Sequence, residues 1–394
     1  MRLLFGMLSS KVPAMPLPLP FAGVRILSLA EQLPGPLATM LLADLGADVI
    51  LVERPAGGDP SRRFVGLFAA LNRNKRSVAI DLKTEAGRAQ FLSLVDTADV
   101  VLEGFRPGVM ARLGLDAAVL RARKPSLVCL SISSFGQTGP SAQLAGHDLS
   151  IQAALGMIEV PVGQEASAAM PVLPLADIAS GMYAAFGIVT GLFARSRTEQ
   201  GSQIDVSMSD SLLSWMSIFL VPPALGLPIR PLPPNDPGYG LFGTADGRQL
   251  TLSIAGEDRM WASLCRLLEL GDGLASLDEA ERCRRRDEIV PVLRAAIGRC
   301  THDALCTALA DARIAFAPVR RQDEVLRDPH TDARRMAVAV DGSGGAGPYV
   351  RQPLIVDGQI GSFTRDVPAL GQHNAELLGS ASQVAPTVAP ANRA

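Results

Sequence analysis

Val24-Arg25-Ile26-Leu27-Ser28-Leu29 reads as a buried strand, and the text that follows it decides the fold. Pro34-Gly35-Pro36 turns the chain into an apolar-periodic helix over Leu37–Leu45, and Asp48–Val52 is a second strand. The alternation continues with a helix around Glu85–Val95, a strand at Asp99–Leu102 and another at Ser126–Ile132. Strands separated by helices at this spacing make βαβ units, so the class is α/β with a mostly parallel sheet. Such sheets take ligands beyond the C-terminal ends of their strands. The loops after Leu29, Val52, Leu102 and Ile132 are therefore the ones to watch.

Downstream, Asp177 opens a helix rich in Ala179, Ser180, Gly181, Ala184, Ala185, Gly187 and Gly191, whose small side chains permit close approach and mark a central element. A strand at Gln203–Val206 and a helix from Met208 to about Phe219 complete a large domain over 22–220. Residues 221–238 are Pro-rich and read as a semi-rigid linker. Gly240–Ile254 is a hairpin turning on Asp246-Gly247, followed by helices over Asp278–Ile297 and Ala304–Asp311, which predicts a smaller α+β domain over 239–325. Residues 326–379, with a flexible loop at Gly342–Gly347, return to the large domain as short β-like segments. Residues 1–21 read as a leader without the run of a signal peptide, and 380–394 as a disordered tail.

The 394 residues are 48% hydrophobic and 19% charged, with a net charge of −2, which suits an ordinary globular chain and argues against a nucleic-acid surface. No apolar stretch reads as a clean membrane span, so no membrane partner is expected. The five cysteines show no C-x-x-C spacing and three of the four histidines lie far from any of them, so no metal site is expected, and the odd cysteine count argues for a reducing cytoplasm. The GxGxxG, Walker and GxSxG signatures are missing, which disfavours nicotinamide and ATP binding through those loops and the standard α/β-hydrolase. Gly136-Gln137-Thr138-Gly139-Pro140 reads as a turn and not as a phosphate cradle.

Three groups of residues can carry chemistry. Asp177 stands where an apolar run gives way to the small-residue helix, a position that suits an N-cap and favours the ionised carboxylate. Arg54, the basic stretch Asn72-Arg73-Asn74-Lys75-Arg76, and Arg106 fall in predicted loops at one end of the sheet, where guanidinium and ammonium groups would suit a polyphosphate. The bland alternative for each is solvated surface charge. His147-Asp148 lies in a Gly-containing loop.

The chain resembles the family III CoA-transferases, whose superfamily also contains the α-methylacyl-CoA racemases. The matching text includes Pro34-Gly35-Pro36, Leu42-Ala43-Asp44-Leu45-Gly46-Ala47-Asp48, Asn74-Lys75-Arg76-Ser77-Val78, Phe105-Arg106-Pro107-Gly108-Val109, Ser131–Pro140, the Asp177 segment and Gly201–Met208. The resemblance implies a Rossmann-type large domain, a smaller domain and an interlocked homodimer. It also implies a CoA thioester as substrate with no prosthetic group, a small carboxylic acid as partner, and Arg54, Lys75, Arg76, Arg106 and Asp148 on the CoA side. It makes Asp177 the transferase nucleophile.

Within that superfamily, racemases pair a Gly-His-Asp histidine with the same downstream aspartate as two bases across Cα, and a glutamate supports the histidine. Here His147, Asp177 and Glu257 stand in similar places. Against this, Ile178-Ala179-Ser180-Gly181-Met182-Tyr183-Ala184 and Val206-Ser207-Met208 are more similar to transferases that use dicarboxylic acids. Oxalate-using members carry Gln two positions before the Gly of Gly-Pro; Leu33 stands there and argues against oxalate. Transfer of CoA is the preferred reading and racemisation the alternative.

Overall fold

The computed structural model describes residues 19–158, 171–228, 235–340 and 348–379. Residues 1–18 of the leader, the Gly342–Gly347 loop, the tail from residue 380 and part of the Pro-rich stretch lie outside the described residues. The described chain forms two compact units, one made of residues up to Ser217 together with those from Arg335 onward, the other Ile218–Arg334.

The first unit is built on six strands: β1 (Arg25–Ser28), β2 (Asp48–Glu53), β3 (Arg76–Ala79), β4 (Val100–Glu103), β5 (Val128–Ser133) and β6 (Gln203–Ser207). All neighbours pair in parallel, in the order β3-β2-β1-β4-β5-β6. The helices are α1 (Pro34–Asp44), α2 (Val65–Asn72), α3 (Glu85–Val95), α4 (Val109–Arg112), α5 (Ala117–Arg123), α6 (Asp148–Ala154), α7 (Leu175–Thr198) and α8 (Met208–Trp215). Separate apolar cores cover the two faces of the sheet. This is why Ile26 and Leu27, adjacent in one strand, are both fully buried. The order reverses between β1 and β4, and a crevice opens at that switch point.

α7 is the central helix expected from its small residues. A Cβ on Gly181 would meet the Pro34 carbonyl oxygen at 2.9 Å, and one on Gly191 would meet Val128 Cγ1 at 2.7 Å. Glycine there lets α7 lie against α1 on one side and the sheet on the other. Contrary to the sequence reading, α7 is long and apolar enough to cross a membrane by length and composition. Its inward residues Ala176, Ala179, Ala184 and Ile188 are nevertheless fully buried in this unit's core.

The helix expected from Met208 to Phe219 breaks after Trp215 and restarts as α9 (Ser217–Ala224), which contains Pro222 and Pro223. In the second unit β7 (Tyr239–Gly243), β8 (Gln249–Ser253) and β9 (Phe316–Pro318) form an antiparallel sheet, with the β7–β8 hairpin on Asp246-Gly247 as expected. α10 (Asp258–Leu267), α11 (Asp272–Ala275), α12 (Glu279–Arg284), α13 (Arg286–Ile297) and α14 (His302–Asp311) pack around Trp261 and Leu293, both fully buried. Asp236, at the end of the Pro-rich stretch, is buried and paired with Arg282 at 2.9 Å.

Residues after Arg335 return to the first unit. They add the short antiparallel pair β10 (Ala337–Val338) and β11 (Tyr349–Val350), then a helix at Asn374–Leu378 against the β3 edge. Ser77 and Ala79 of β3 donate their N–H groups to His373 Nδ1 at 3.1 Å and Asn374 Oδ1 at 2.8 Å.

Candidate active site

A cavity of about 410 Å³ lies beyond the C-terminal ends of β1, β4 and β5, where the switch in strand order leaves room. It is walled by the loop after β1 (Ala30–Leu33), the loop after β4 (Gly104–Pro107), Ser133 at the end of β5 with Ser134 after it, and Ala142 and Leu144–His147. Asp177 enters from the first turn of α7. Three of the four loops singled out from the sequence thus meet here, and they bring Asp177, His147 and Arg106 together.

Asp177 differs from the sequence expectation in two respects. It does not cap its helix: α7 begins at Leu175 with Pro174 in the cap position, so Asp177 is its third residue. Nor does the helix terminus keep it strongly acidic. Burial, reinforced by the neighbouring Asp148 carboxylate, pushes its pKa up to about 6. It is still largely ionised at neutral pH. His147 is exposed at the head of α6, its backbone fixed by the Ser150 hydroxyl, which accepts from His147 N–H at 3.0 Å and donates to His147 O at 2.8 Å.

Asp148, expected on the CoA side, is turned toward the protein. One carboxylate oxygen accepts from Ala176 N–H at 2.7 Å and Asp177 N–H at 3.4 Å, and the other accepts from Gln152 Nε2 at 2.6 Å.

The cationic residues divide sharply. Arg106 is exposed, lines the Asp177 cavity and has no ion pair among the described residues. Arg54 lines an adjoining cavity of about 580 Å³ over the ends of β1–β4, together with Lys83. Its guanidinium stands 4.0 Å from Glu31. Lys75, by contrast, is fully buried, its ammonium donating to Pro36 O at 2.8 Å and Asn72 Oδ1 at 2.9 Å. Burial holds its pKa well below that of a free lysine. Arg76 is buried against Asp48 and donates to Glu376 Oε1 at 2.6 Å. Neither Lys75 nor Arg76 reaches either cavity, because the stretch from Asn72 to Arg76 spends its polar groups inside the protein. Arg73 pairs with Asp44, both side chains fully buried, and its guanidinium also donates to Val350 O at 2.9 Å.

Glu257 belongs to the second unit, just before α10, where its carboxylate accepts from Ala255 N–H at 2.7 Å.

Sequence reasoning passed over Glu31 and Gln32, although it flagged their loop. Glu31 and Phe105 line both cavities and so form their junction. Burial raises the pKa of Glu31, and Arg54 opposes that shift. Gln32 has φ of 67°, and its N–H is held by both Asp59 carboxylate oxygens at 3.0 and 3.2 Å. A left-handed non-glycine residue pinned in this way gives the loop after β1 one shape. The only sequence signal was the position of the loop after the first strand.

A Rossmann-type sheet with a carboxylate in one cavity, and one arginine there and another in its neighbour, has the chemistry to take an anionic ligand. Residues 21–374 match CoA-transferase family III, and the chain belongs to that family. It is 32% identical to the succinate–glutarate CoA-transferase of Agrobacterium fabrum over 94% of this chain and 98% of that one. It is 32% identical to the succinyl-CoA:mesaconate CoA-transferase of Haloarcula hispanica over 91% of this chain and 95% of that one. Among solved structures, a CaiB/BaiF family protein from Brucella suis superposes with a TM-score of 0.80 at 30% identity, covering 91% of this chain and 98% of that one.

Proposed function

We propose that this chain moves CoA from an acyl-CoA thioester to a small carboxylic acid through covalent intermediates on Asp177. The carrying observation is the position of Asp177. It lines a cavity joined at Glu31 and Phe105 to a second one bearing Arg54 and Lys83, an arrangement that accommodates a thioester at one end and phosphates at the other. CoA enters as substrate, and the residue chemistry calls for no prosthetic group.

The steps balance without an outside reactant. An Asp177 oxygen attacks the thioester carbonyl, the C–S bond breaks, and CoA leaves as thiolate from a mixed anhydride. The thiolate then attacks the Asp177 carbonyl, forming an aspartyl-CoA thioester and releasing the donor's carboxylate. The acceptor carboxylate attacks that thioester, the C–S bond breaks to leave a second mixed anhydride, and the expelled thiolate attacks the acceptor's carbonyl, giving the new acyl-CoA and freeing Asp177 as its carboxylate. The pKa of about 6 leaves most of Asp177 ionised at neutral pH while making it more basic than an exposed aspartate. The relatives named for succinate, glutarate and mesaconate make dicarboxylic acids the first acceptors to assay.

The same reading includes an interlocked homodimer. Supporting it, Phe186 and Phe193 on the outer face of α7 are 67% and 58% exposed, and Trp215 on α8 is 43% exposed, an apolar surface that a partner subunit would cover.

Incubation with an acyl-CoA followed by hydroxylamine or borohydride should modify Asp177, read by peptide mass spectrometry. His147→Ala should leave most CoA transfer intact. No adduct, combined with deuterium wash-in at Cα of a 2-methylacyl-CoA that His147→Ala abolishes, would instead establish racemisation by His147 and Asp177.

A further inference from the structure

The first turn of α7 lacks a cap of its own. Its cap position is Pro174, which makes no side-chain hydrogen bond, so the leading N–H groups need a partner from elsewhere. Asp148 supplies one across space, through Ala176 N–H at 2.7 Å and Asp177 N–H at 3.4 Å. Its other oxygen is gripped by Gln152 Nε2, which also donates to Leu173 O at 3.1 Å and belongs to a side chain 1% exposed. Asp148 is not part of the wall of the Asp177 cavity. Its hydrogen bonds run to the backbone that carries Asp177.

We propose that Asp148 is the positioning residue for Asp177: held by Gln152, its carboxylate fixes the first turn of α7 and sets a second negative charge beside the reacting one. The inference rests on the aspartyl reading above and deepens it. In the mixed anhydrides and in the aspartyl-CoA thioester the Asp177 carboxyl is uncharged, so the attack by Asp177 removes a like charge facing Asp148. The charged groups around Asp177 are Asp148 and His147 from the head of α6, Arg106 from the loop after β4 and Glu31 from the loop after β1. Of these, Asp148 is the one that adds to burial in raising the Asp177 pKa.

The test is carbodiimide labelling of Asp177 against pH in the free protein, quantified on its peptide, alongside steady-state kinetics. The wild-type midpoint should fall near 6. Asp148→Asn keeps an acceptor oxygen for the α7 N–H groups but loses the charge; its midpoint should drop by about half a pH unit or more. Asp148→Ala loses both and should lower kcat about ten- to hundredfold with the KM for acyl-CoA unchanged. An unmoved midpoint in Asp148→Asn overturns the proposal. So does an Asp148→Ala variant whose KM for acyl-CoA rises while kcat holds, the signature of a direct ligand contact. Labelling needs no turnover, so failure to trap an Asp177 adduct would sink the aspartyl mechanism without deciding the role of Asp148.

Discussion

Two sets of basic side chains in the large unit look alike as text and do opposite work. Asn72-Arg73-Asn74-Lys75-Arg76 turns inward. Arg73 meets Asp44 with both side chains at 0% exposure, and Asn74, at φ 62°, donates to Asp44 Oδ1 at 2.9 Å and to Ser362 O at 2.5 Å. The rings of Tyr349 and Phe363 lie 5.6 and 5.9 Å from the Arg73 guanidinium, so the returning C-terminal segment is tied down at the same knot. Arg54 and Arg106 instead follow strand ends and face open cavities. In the knot every cationic side chain is buried and hydrogen-bonded within the protein, and stability depends on keeping those partners. At the rim Arg106 has no such partner among the described residues and is free to meet a ligand.

The comparison is most severely tested at Asp177, the proposed nucleophile at the rim. Asp177→Asn should lower turnover on the order of 10⁴-fold, measured as acyl-CoA consumption with a dicarboxylic acceptor. The same variant should be more stable. A carboxylate whose folded pKa is raised to about 6 destabilises the fold as pH climbs from about 4 to 6, and fully so above that. At pH 7 the amide should therefore gain about 1–2 kcal/mol in urea unfolding, after allowance for partial exposure, and the gain should vanish near pH 4.

Arg73→Ala is the mirror image. Stranding Asp44 without its buried partner should cost about 3–5 kcal/mol of stability, with activity per folded molecule retained. A loss of turnover without a loss of stability would break the division between knot and rim. Arg106→Ala comes next, with the KM for acyl-CoA rising about ten- to hundredfold, no change in melting temperature, and a dependence weakened by salt. Arg54→Ala should act in the same direction by only a few-fold, because its guanidinium already faces Glu31. Finally, kcat/KM should fall tenfold per pH unit below about 6, as Asp177 takes up its proton.

The basic knot also shows where reading the text falls short. From sequence, Lys75 and Arg76 were either phosphate ligands or solvated charge, and both choices assumed an exposed loop. The partners that bury them, Asp48, Asn72, Pro36 and Glu376, are spread over the chain, and Glu376 lies 300 residues away from Arg76. Nothing local announces such pairs. Asp148 is the same case at shorter range: a polar residue in a loop became the cap of a helix that starts 27 residues later. In contrast, the strand–helix alternation, the parallel sheet, the closeness of α7 to its neighbours and the hairpin on Asp246-Gly247 were all readable. Each depends on periodicity, glycine or turn chemistry within a few residues.

The sequence by itself determined the α/β class and the loops around the candidate site, because hydrophobic period and turn residues act locally and ligand loops follow strand ends; its motifs carried the resemblance to the family. The tertiary structure alone decided which charges face a ligand and which hold the fold, and how basic Asp177 is. Those properties are set by burial and by partners distant in the chain.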